Sequence, residues 1–350
     1  MAVVAQPLAP QTEIKNEPVG IIILNWNGAA LLRRYLPSVV AANSNDIADV
    51  VVVDNGSTDE SLSVLKQEFP DVRTLCFDKN YGYAEGYNRA IRELGYRYSV
   101  LLNSDVAATP EWIRPLYEYM EAHPEVAACQ PKILSDADHT KFEYAGASGG
   151  FIDKHGYPFC RGRIFDTVET DNGQYNDITD IFWATGAALT VRTEEYLAVG
   201  GLDKDFFAHM EEIDLCWRLH QRGQAIRVIP QSVVFHLGGG SLPASNPKKT
   251  YLNFRNNLFL LYKNLPPREG RRMLLIKRLY DTLAFFVFMA KMDFANARAI
   301  LRAHNDYRHQ KSRYDNVRPQ RSIMGDFPCC HRNIILDYNL RRKHRFSDLV

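Results

Sequence analysis

The feature that most constrains this chain is the alternation, over its first 132 residues, of short apolar runs with helix-spaced segments. Residues 19–25 are apolar at nearly every position, as a strand covered on both faces must be. Residues 29–42 then carry their apolar side chains at helical spacing. The pattern repeats, with strands predicted over 50–54, 72–77, 98–102 and 126–132, and helices over 61–69, 84–94 and 110–123. The last helix has Pro110 near its start, where a helix tolerates proline. This order predicts an α/β fold with a Rossmann-like, mostly parallel central sheet and flanking helices. Residues 134–180 lose the periodicity and gain Gly, Asp and Tyr, which reads as a long functional excursion with short strands. Regular structure resumes with a strand over 187–191 and helices over 193–199 and 211–222, followed by strands over 225–229 and 233–236. Beyond Lys248 the chain reads as helical, with breaks at Pro266-Pro267 and near Asp293. The expected organisation is a flexible N-terminus (1–17), a large α/β domain (18–247, with halves 18–132 and 133–247), a helical extension (248–311) and a basic tail (312–350).

Composition narrows the partners. A net charge of +1 gives no global pull towards nucleic acid, so an anionic ligand must be held locally by cations, backbone N–H groups or metal. The six cysteines form no Cys-x-x-Cys pair and no disulfide framework, which argues against a zinc ribbon or thioredoxin-like site. The first 17 residues lack the basic start and apolar stretch of a signal peptide. The longest strongly apolar run, 283–290, is far short of the ~20 residues of a spanning helix. The expected compartment is the cytoplasm.

Polar residues concentrate where the strands should end. Open parallel sheets bind ligands at the carboxyl ends of their strands. Here those ends carry Asn25-Trp26-Asn27-Gly28, Asp54-Asn55-Gly56-Ser57-Thr58-Asp59 and Asn103-Ser104-Asp105, with Asn80-Tyr81-Gly82 ahead of a helix. One such turn is ordinary turn chemistry; four at one edge point to a binding site. No Gly-x-Gly-x-x-Gly or Walker-type loop is present, so nucleotide phosphates would need another counter-charge. A carboxylate-held divalent cation is the natural candidate, and Asp105 sits where its ligand is wanted. A second concentration, Glu211-Glu212-Ile213-Asp214, opens a helix; acids in a first turn also serve the helix dipole. His236 then precedes a glycine-rich stretch, Gly238-Gly239-Gly240-Ser241, which suits a site closed by a mobile segment.

The ordered set of these motifs, with Thr185-Gly186 and Arg255-Asn256, resembles the family-two inverting glycosyltransferases of the GT-A fold, in particular the bacterial branch that includes rhamnosyltransferases. The likeness runs from about Val19 to Asn264. It implies transfer of a sugar from a nucleoside-diphosphate sugar to a hydroxyl of a glycan or lipid-linked acceptor, in cell-surface polysaccharide or glycan synthesis. Asn25, Asn27, Asp54, Ser57, Asn80, Gly82, Asn103 and Asp105 would hold the nucleotide sugar, with Ser241 and Arg255 closing over the pyrophosphate. Asp105 and His236 would bind Mg²⁺ or Mn²⁺. Glu212 would be the general base, flanked by Glu211 and Asp214, with the choice between Glu212 and Asp214 open; Trp183, Thr185 and Gly186 would lie beside the acceptor. Two residues depart from the family pattern. Asn103 stands at the first position of the Asp-x-Asp motif, and the usual Glu-Asp pair is Glu211-Glu212. These changes are the support for an alternative, a non-catalytic sugar-nucleotide-binding or scaffold subunit. Retention of Asp105, Glu212 and His236 together argues against it. A nucleotidyltransferase would need a glycine-rich phosphate loop with a basic residue, and a processive synthase would need spanning helices; neither is seen.

In the helical extension, residues 268–291 place arginines beside leucines and phenylalanines. That composition fits an interfacial helix on an anionic membrane, at the inner face of the cell membrane, or a helix packed on the α/β domain or in a homodimer contact. The tail reads as solvated and basic.

Overall fold

A computed structural model describes residues 18–43, 46–238 and 246–349. In chain order the strands are β1 (Val19–Asn25), β2 (Ala48–Asp54), β3 (Arg73–Cys76), β4 (Tyr98–Leu102), β5 (Val106–Ala108), β6 (Val126–Ser135), β7 (Gly150–Ile152), β8 (Pro158–Cys160), β9 (Arg163–Ile164), β10 (Thr167–Val168), β11 (Thr179–Asp180), β12 (Ala188–Arg192) and β13 (Ala225–His236). The helices are α1 (Ala29–Ala41), α2 (Ser61–Glu68), α3 (Tyr83–Leu94), α4 (Ile113–Ala122), α5 (Thr193–Ala198), α6 (Glu211–Gln221), α7 (Pro247–Asn264), α8 (Pro267–Ala290), α9 (Phe294–Gln310) and α10 (Ile334–Asn339).

The central sheet runs β11-β13-β6-β12-β4-β1-β2-β3, with β5 paired to β13. β4, β1, β2 and β3 are parallel, as are β6 and β13, while β12 is antiparallel between β4 and β6. The apolar strands explain their own burial. Along β1, Ile22 packs into a core shared with α3, and Ile21 and Ile23 into a second core with α1 and α4. Alternate side chains thus feed opposite faces, and both faces are covered by helices.

The irregular segment after β6 forms a small antiparallel sheet, β10-β9-β8-β7, fixed to the main body through Gly150 and Trp183. The two strands expected at 225–229 and 233–236 are one strand, β13, bulged between Ile229 and Val233 where its register against β6 shifts. Pro230 sits in that bulge, which resolves its conflict with an unbroken ladder. β5, three residues long, carries too little sequence to have been foreseen.

The C-terminal helices form a helical region in which α7 packs against α9, α8 and α6. The reading of residues 312–350 as a solvated tail is corrected by packing. Tyr314, Met324, Cys330, Ile334 and Leu349 are buried, and the Phe346 ring lies 5.0 Å from that of Phe151 in the small sheet.

Candidate active site

Sheet topology gathers the polar motifs. In the parallel strands Asn25 pairs with Asp54, and the ends of β1, β2 and β4 form one edge. Because β12 is antiparallel to β4 and starts opposite Leu102, the preceding Thr185-Gly186 lies at that same edge. β13 ends with His236 opposite both Ser135 and Val106, beside Asp105.

At the β1 and β2 ends the polar side chains first hold one another. The Asn25 Nδ2 donates to Asp54 Oδ1 at 3.2 Å and to Ser57 Oγ at 3.3 Å, and Ser57 N donates to Asp54 Oδ2 at 2.9 Å. Asn27 accepts from Thr58 N at 2.7 Å. Asn55 joins the next motif, donating to Asn80 Oδ1 at 3.1 Å and accepting from Tyr81 N at 2.9 Å, while Gly82 N donates to Asn80 Oδ1 at 2.7 Å. Gly56 is required here. Its φ is +71°, and a Cβ would come within 2.5 Å of the Lys79 backbone. Asn25 Oδ1 is buried with no hydrogen-bond partner, an acceptor left over by this network.

Further along the edge, His236 Nε2 donates to Asp105 Oδ1 at 3.1 Å, and Nδ1 lies 3.5 Å from Glu143 Oε1 without a hydrogen bond. Burial works against a charge on His236, but the bond to Asp105 and the nearby Asp105 and Glu143 carboxylates outweigh it and hold the imidazole up at about 10. Glu143 was not foreseen; it lies in the irregular segment, where no motif marks it. Asn103 holds the edge through its backbone, N donating to Ala187 O at 3.0 Å. Among the described residues no group of three or more His, Cys, Asp or Glu is placed as a complete metal cage.

The acidic helix α6 begins from a strained turn. Phe207, His209 and Met210 have φ of +66°, +69° and +71°, a region that costs a non-glycine residue ~1–3 kcal/mol. Asn256 of α7 holds this turn, its Nδ2 lying 2.8–2.9 Å from the carbonyls of Phe206, Ala208 and His209. Arg255 Nη2 donates to the carbonyls of Asp205 and Phe206, each at 2.9 Å, so this guanidinium is spent on the turn.

The three carboxylates that follow have separate fates. Asp214 is fully buried and saturated; Oδ2 accepts from Arg218 Nε and Lys263 Nζ, each at 2.8 Å, and Oδ1 from Asn264 Nδ2 at 2.8 Å. Burial alone would raise it, but Arg218 and Lys263 hold it below the usual carboxylate range. Glu211 and Glu212 each keep a buried oxygen with no partner. Burial raises Glu211 well above its ordinary value, helped by the neighbouring Glu212. Burial raises Glu212 less, to about 7, because backbone N–H groups at the start of α6 favour its charge.

Glu212 faces Gly186. A Cβ on Gly186 would lie 2.7 Å from the Tyr83 hydroxyl and 3.9 Å from Glu212 Cβ, and that hydroxyl donates to Gly186 O at 2.8 Å. Tyr83 was also missed by the sequence reading, although it opens the helix after Asn80-Tyr81-Gly82. Trp183 and Thr185 are set back in the framework. Both are buried, with Trp183 Nε1 donating to Phe151 O at 2.9 Å and Thr185 Oγ1 to Ala145 O at 2.7 Å. Of the three residues expected beside the acceptor, Gly186 alone is partly exposed. Ser241 and the glycines before it, Gly239 and Gly240, lie outside the described residues.

A mostly parallel α/β sheet with a carboxylate–histidine pair and an acidic helix at one edge has the architecture of the GT-A fold. Residues 20–178 match the family model for glycosyl transferase family 2, and the chain carries a domain of that family. Among similar proteins, the N-acetylglucosaminyl-diphospho-decaprenol L-rhamnosyltransferase of Mycobacterium tuberculosis is 27% identical over 231 residues, 62% of this chain and 75% of that one. The low-salt glycan biosynthesis hexosyltransferase of Haloferax volcanii is 23% identical over 250 residues, 69% of this chain and 74% of that one. In structure, GalNAc-T7 with UDP, GalNAc and Mn²⁺ superposes with a TM-score of 0.56 at 13% identity, over 85% of this chain and 58% of that one. The fold is therefore GT-A with a C-terminal helical region, and the chain is a glycosyltransferase.

Proposed function

We propose that this enzyme transfers a sugar, with inversion, from a nucleoside-diphosphate sugar to a hydroxyl of a glycan or lipid-linked acceptor. The observation that carries the reading is Glu212, a carboxylate with one buried, unpartnered oxygen, held at about 7 beside the partly exposed Gly186. A base near neutrality with a free lone pair can accept the acceptor hydroxyl's proton as that oxygen attacks the anomeric carbon. Asp214 cannot share this task, since both its oxygens are taken by Arg218, Lys263 and Asn264; it orients α6. Burial and the neighbouring Glu212 raise Glu211 as well, which favours its neutral form and eases the charge beside Glu212. Displacement from the face opposite the leaving group gives inversion in one step.

The residues present fit a divalent cation. Asp105 and His236 are in contact, and His236 Nδ1 is buried without a hydrogen bond; a hard cation completes such a partial set with phosphate oxygens. When bound, Mg²⁺ or Mn²⁺ neutralises charge on the departing diphosphate. Asp105 and His236 would hold it, with loss of the imidazole proton that Asp105 and Glu143 stabilise. A Mn²⁺ ion in the GalNAc-T7 structure supports the same choice. Asn25, Asp54 and Asn80 form the nucleoside end, where the unpartnered Asn25 Oδ1 is free to accept from a base or ribose. Asn27, Ser57 and Gly82 shape it, and Asn103 carries its wall. Arg255 acts through the turn that aims α6.

The deciding experiment is titration with UDP-, dTDP- and GDP-sugars, with Mg²⁺ or Mn²⁺ and with chelator, followed by transfer assays. Glu212→Gln should abolish transfer and spare donor binding, and Asp105→Ala should remove the metal dependence of binding. Near wild-type turnover in Glu212→Gln would refute the base assignment. Folded protein that binds no donor would favour the scaffold alternative.

A further inference from the structure

α8 meets the core through the half-buried Met273 and Leu274, but its broader apolar face points outward. Its buried residues are Gly270, Lys277 and Asp281, whereas Leu275, Leu279, Leu283 and Phe286 are 61%, 70%, 62% and 61% exposed. Lys277 pairs with Asp281, whose other oxygen is 2.9 Å from His304 Nε2 of α9. The four apolar residues recur at three- and four-residue spacing and so share one face. Met292 and Phe294, in the turn after α8 and at the start of α9, are also exposed, at 73% and 54%. A helix docked on the α/β domain by its amphipathy would show the reverse polarity. A contiguous apolar stripe of this kind left in water marks a contact with something else.

The surrounding charge says what that is. Arg268, Arg271, Arg272, Arg278, Lys291 and Arg298 are all exposed around the stripe. The acids of the same segment are turned away. Glu269 accepts from Ser322 Oγ at 2.9 Å, Asp281 is 1% exposed, and Asp293 caps α9 by accepting from Asn296 N at 3.1 Å. A two-fold contact between two copies would set this cationic rim against itself. An anionic leaflet supplies the opposite charge and an apolar layer beneath it. We infer that α8 and the start of α9 dock in the plane of an anionic lipid surface, with Leu279, Leu283 and Phe286 among the acyl chains and the arginines at headgroup level. The contact is in-plane because no described helix is long and apolar enough to cross a membrane. The inference is independent of the transfer reaction.

The test is co-sedimentation of the whole chain with phosphatidylcholine vesicles, with and without phosphatidylglycerol. Binding to the anionic vesicles should be at least ~10-fold tighter and should weaken at high salt. Leu279→Asp with Phe286→Asp should abolish binding without shifting the thermal melt, since both side chains are exposed. Arg271→Glu with Arg272→Glu should remove the preference for anionic lipid. Equal binding to neutral vesicles would overturn the inference. So would retained binding in the double aspartate variant, or a lipid-free dimer that this variant dissociates.

Discussion

Burial holds Glu212 at about 7, and its two protonation states matter in opposite ways for activity and stability. Transfer needs the carboxylate, so turnover should rise about tenfold per pH unit below 7 and level off above it. Stability runs the other way. A carboxylate raised on folding binds more protons in the folded state, so its contribution weakens as pH rises from the ordinary value of 4.5 through about 7. A pH–kcat profile measured beside a pH–stability profile checks both signs; an ascending limb near 4.5 would show that the base is not this buried group. Asp214 gives a contrasting expectation. Asp214→Ala takes from Lys263 and Arg218 their shared buried partner, leaving Lys263 on Asp203 and Arg218 on the Val199 and Gly201 carbonyls, and should cost about 3 kcal/mol of stability in denaturant melts, the low end for breaking a buried ion pair. The sequence named Asp105, His236 and the Glu211-Glu212 pair because strand ends and a helix start have legible signals. It did not show which polar side chains are consumed internally. Asp214, Trp183, Thr185 and Arg255 look like site residues in sequence, yet their polar atoms bond to the framework. Glu143 and Tyr83 reach the edge only through tertiary packing.

At the level of elements, the strained turn before α6 is the part most open to test. Three positive-φ residues in four positions are held by Asn256 Nδ2 against three carbonyls, with Arg255 Nη2 sharing that of Phe206. Asn256→Ala takes that donor from the Ala208 and His209 carbonyls, a loss of ~1–3 kcal/mol. Because the turn leads directly into α6, which carries Glu212, kcat should fall while donor affinity stays near wild type. Steady-state kinetics beside donor titration would separate this from general destabilisation, which would lower both. Element existence was largely legible from periodicity: β1 and β4 fall where the apolar runs predict them, over Val19–Asn25 and Tyr98–Leu102. The failures have physical causes. Pro230 divided β13 in the reading because a bulge that accommodates proline depends on the partner strand, which local sequence does not contain.

At the scale of the whole molecule, the last forty or so residues decide whether the small sheet is a free excursion or a clamped one. Composition made residues 312–350 look solvated, since Arg341, Arg342 and Lys343 dominate the eye while the anchoring residues are widely spaced. In the fold this segment straps β7–β10. Ile334 is fully buried and its N–H donates to Asp153 Oδ2 at 3.1 Å. Phe346 N donates to Glu169 Oε1 at 2.9 Å, and its ring rests against Phe151 and Phe159. The two pictures differ by a measurable amount. A side chain on a solvated tail is worth within about 0.5 kcal/mol of nothing, whereas Ile→Ala at a fully buried position costs ~2–5 kcal/mol. Ile334→Ala should therefore lower the unfolding free energy by at least ~2 kcal/mol, with Arg342→Ala, at an exposed position of the same segment, as the near-silent control. The strap ends on the same small sheet that Trp183 ties, through Gly150, to the segment leading into Gly186, so its loss should reach the acceptor side of the edge before the nucleoside side. In Ile334→Ala, acceptor KM should then rise while donor Kd is unchanged; a rise in both, or in neither, would mean that the small sheet is not what carries the acceptor edge.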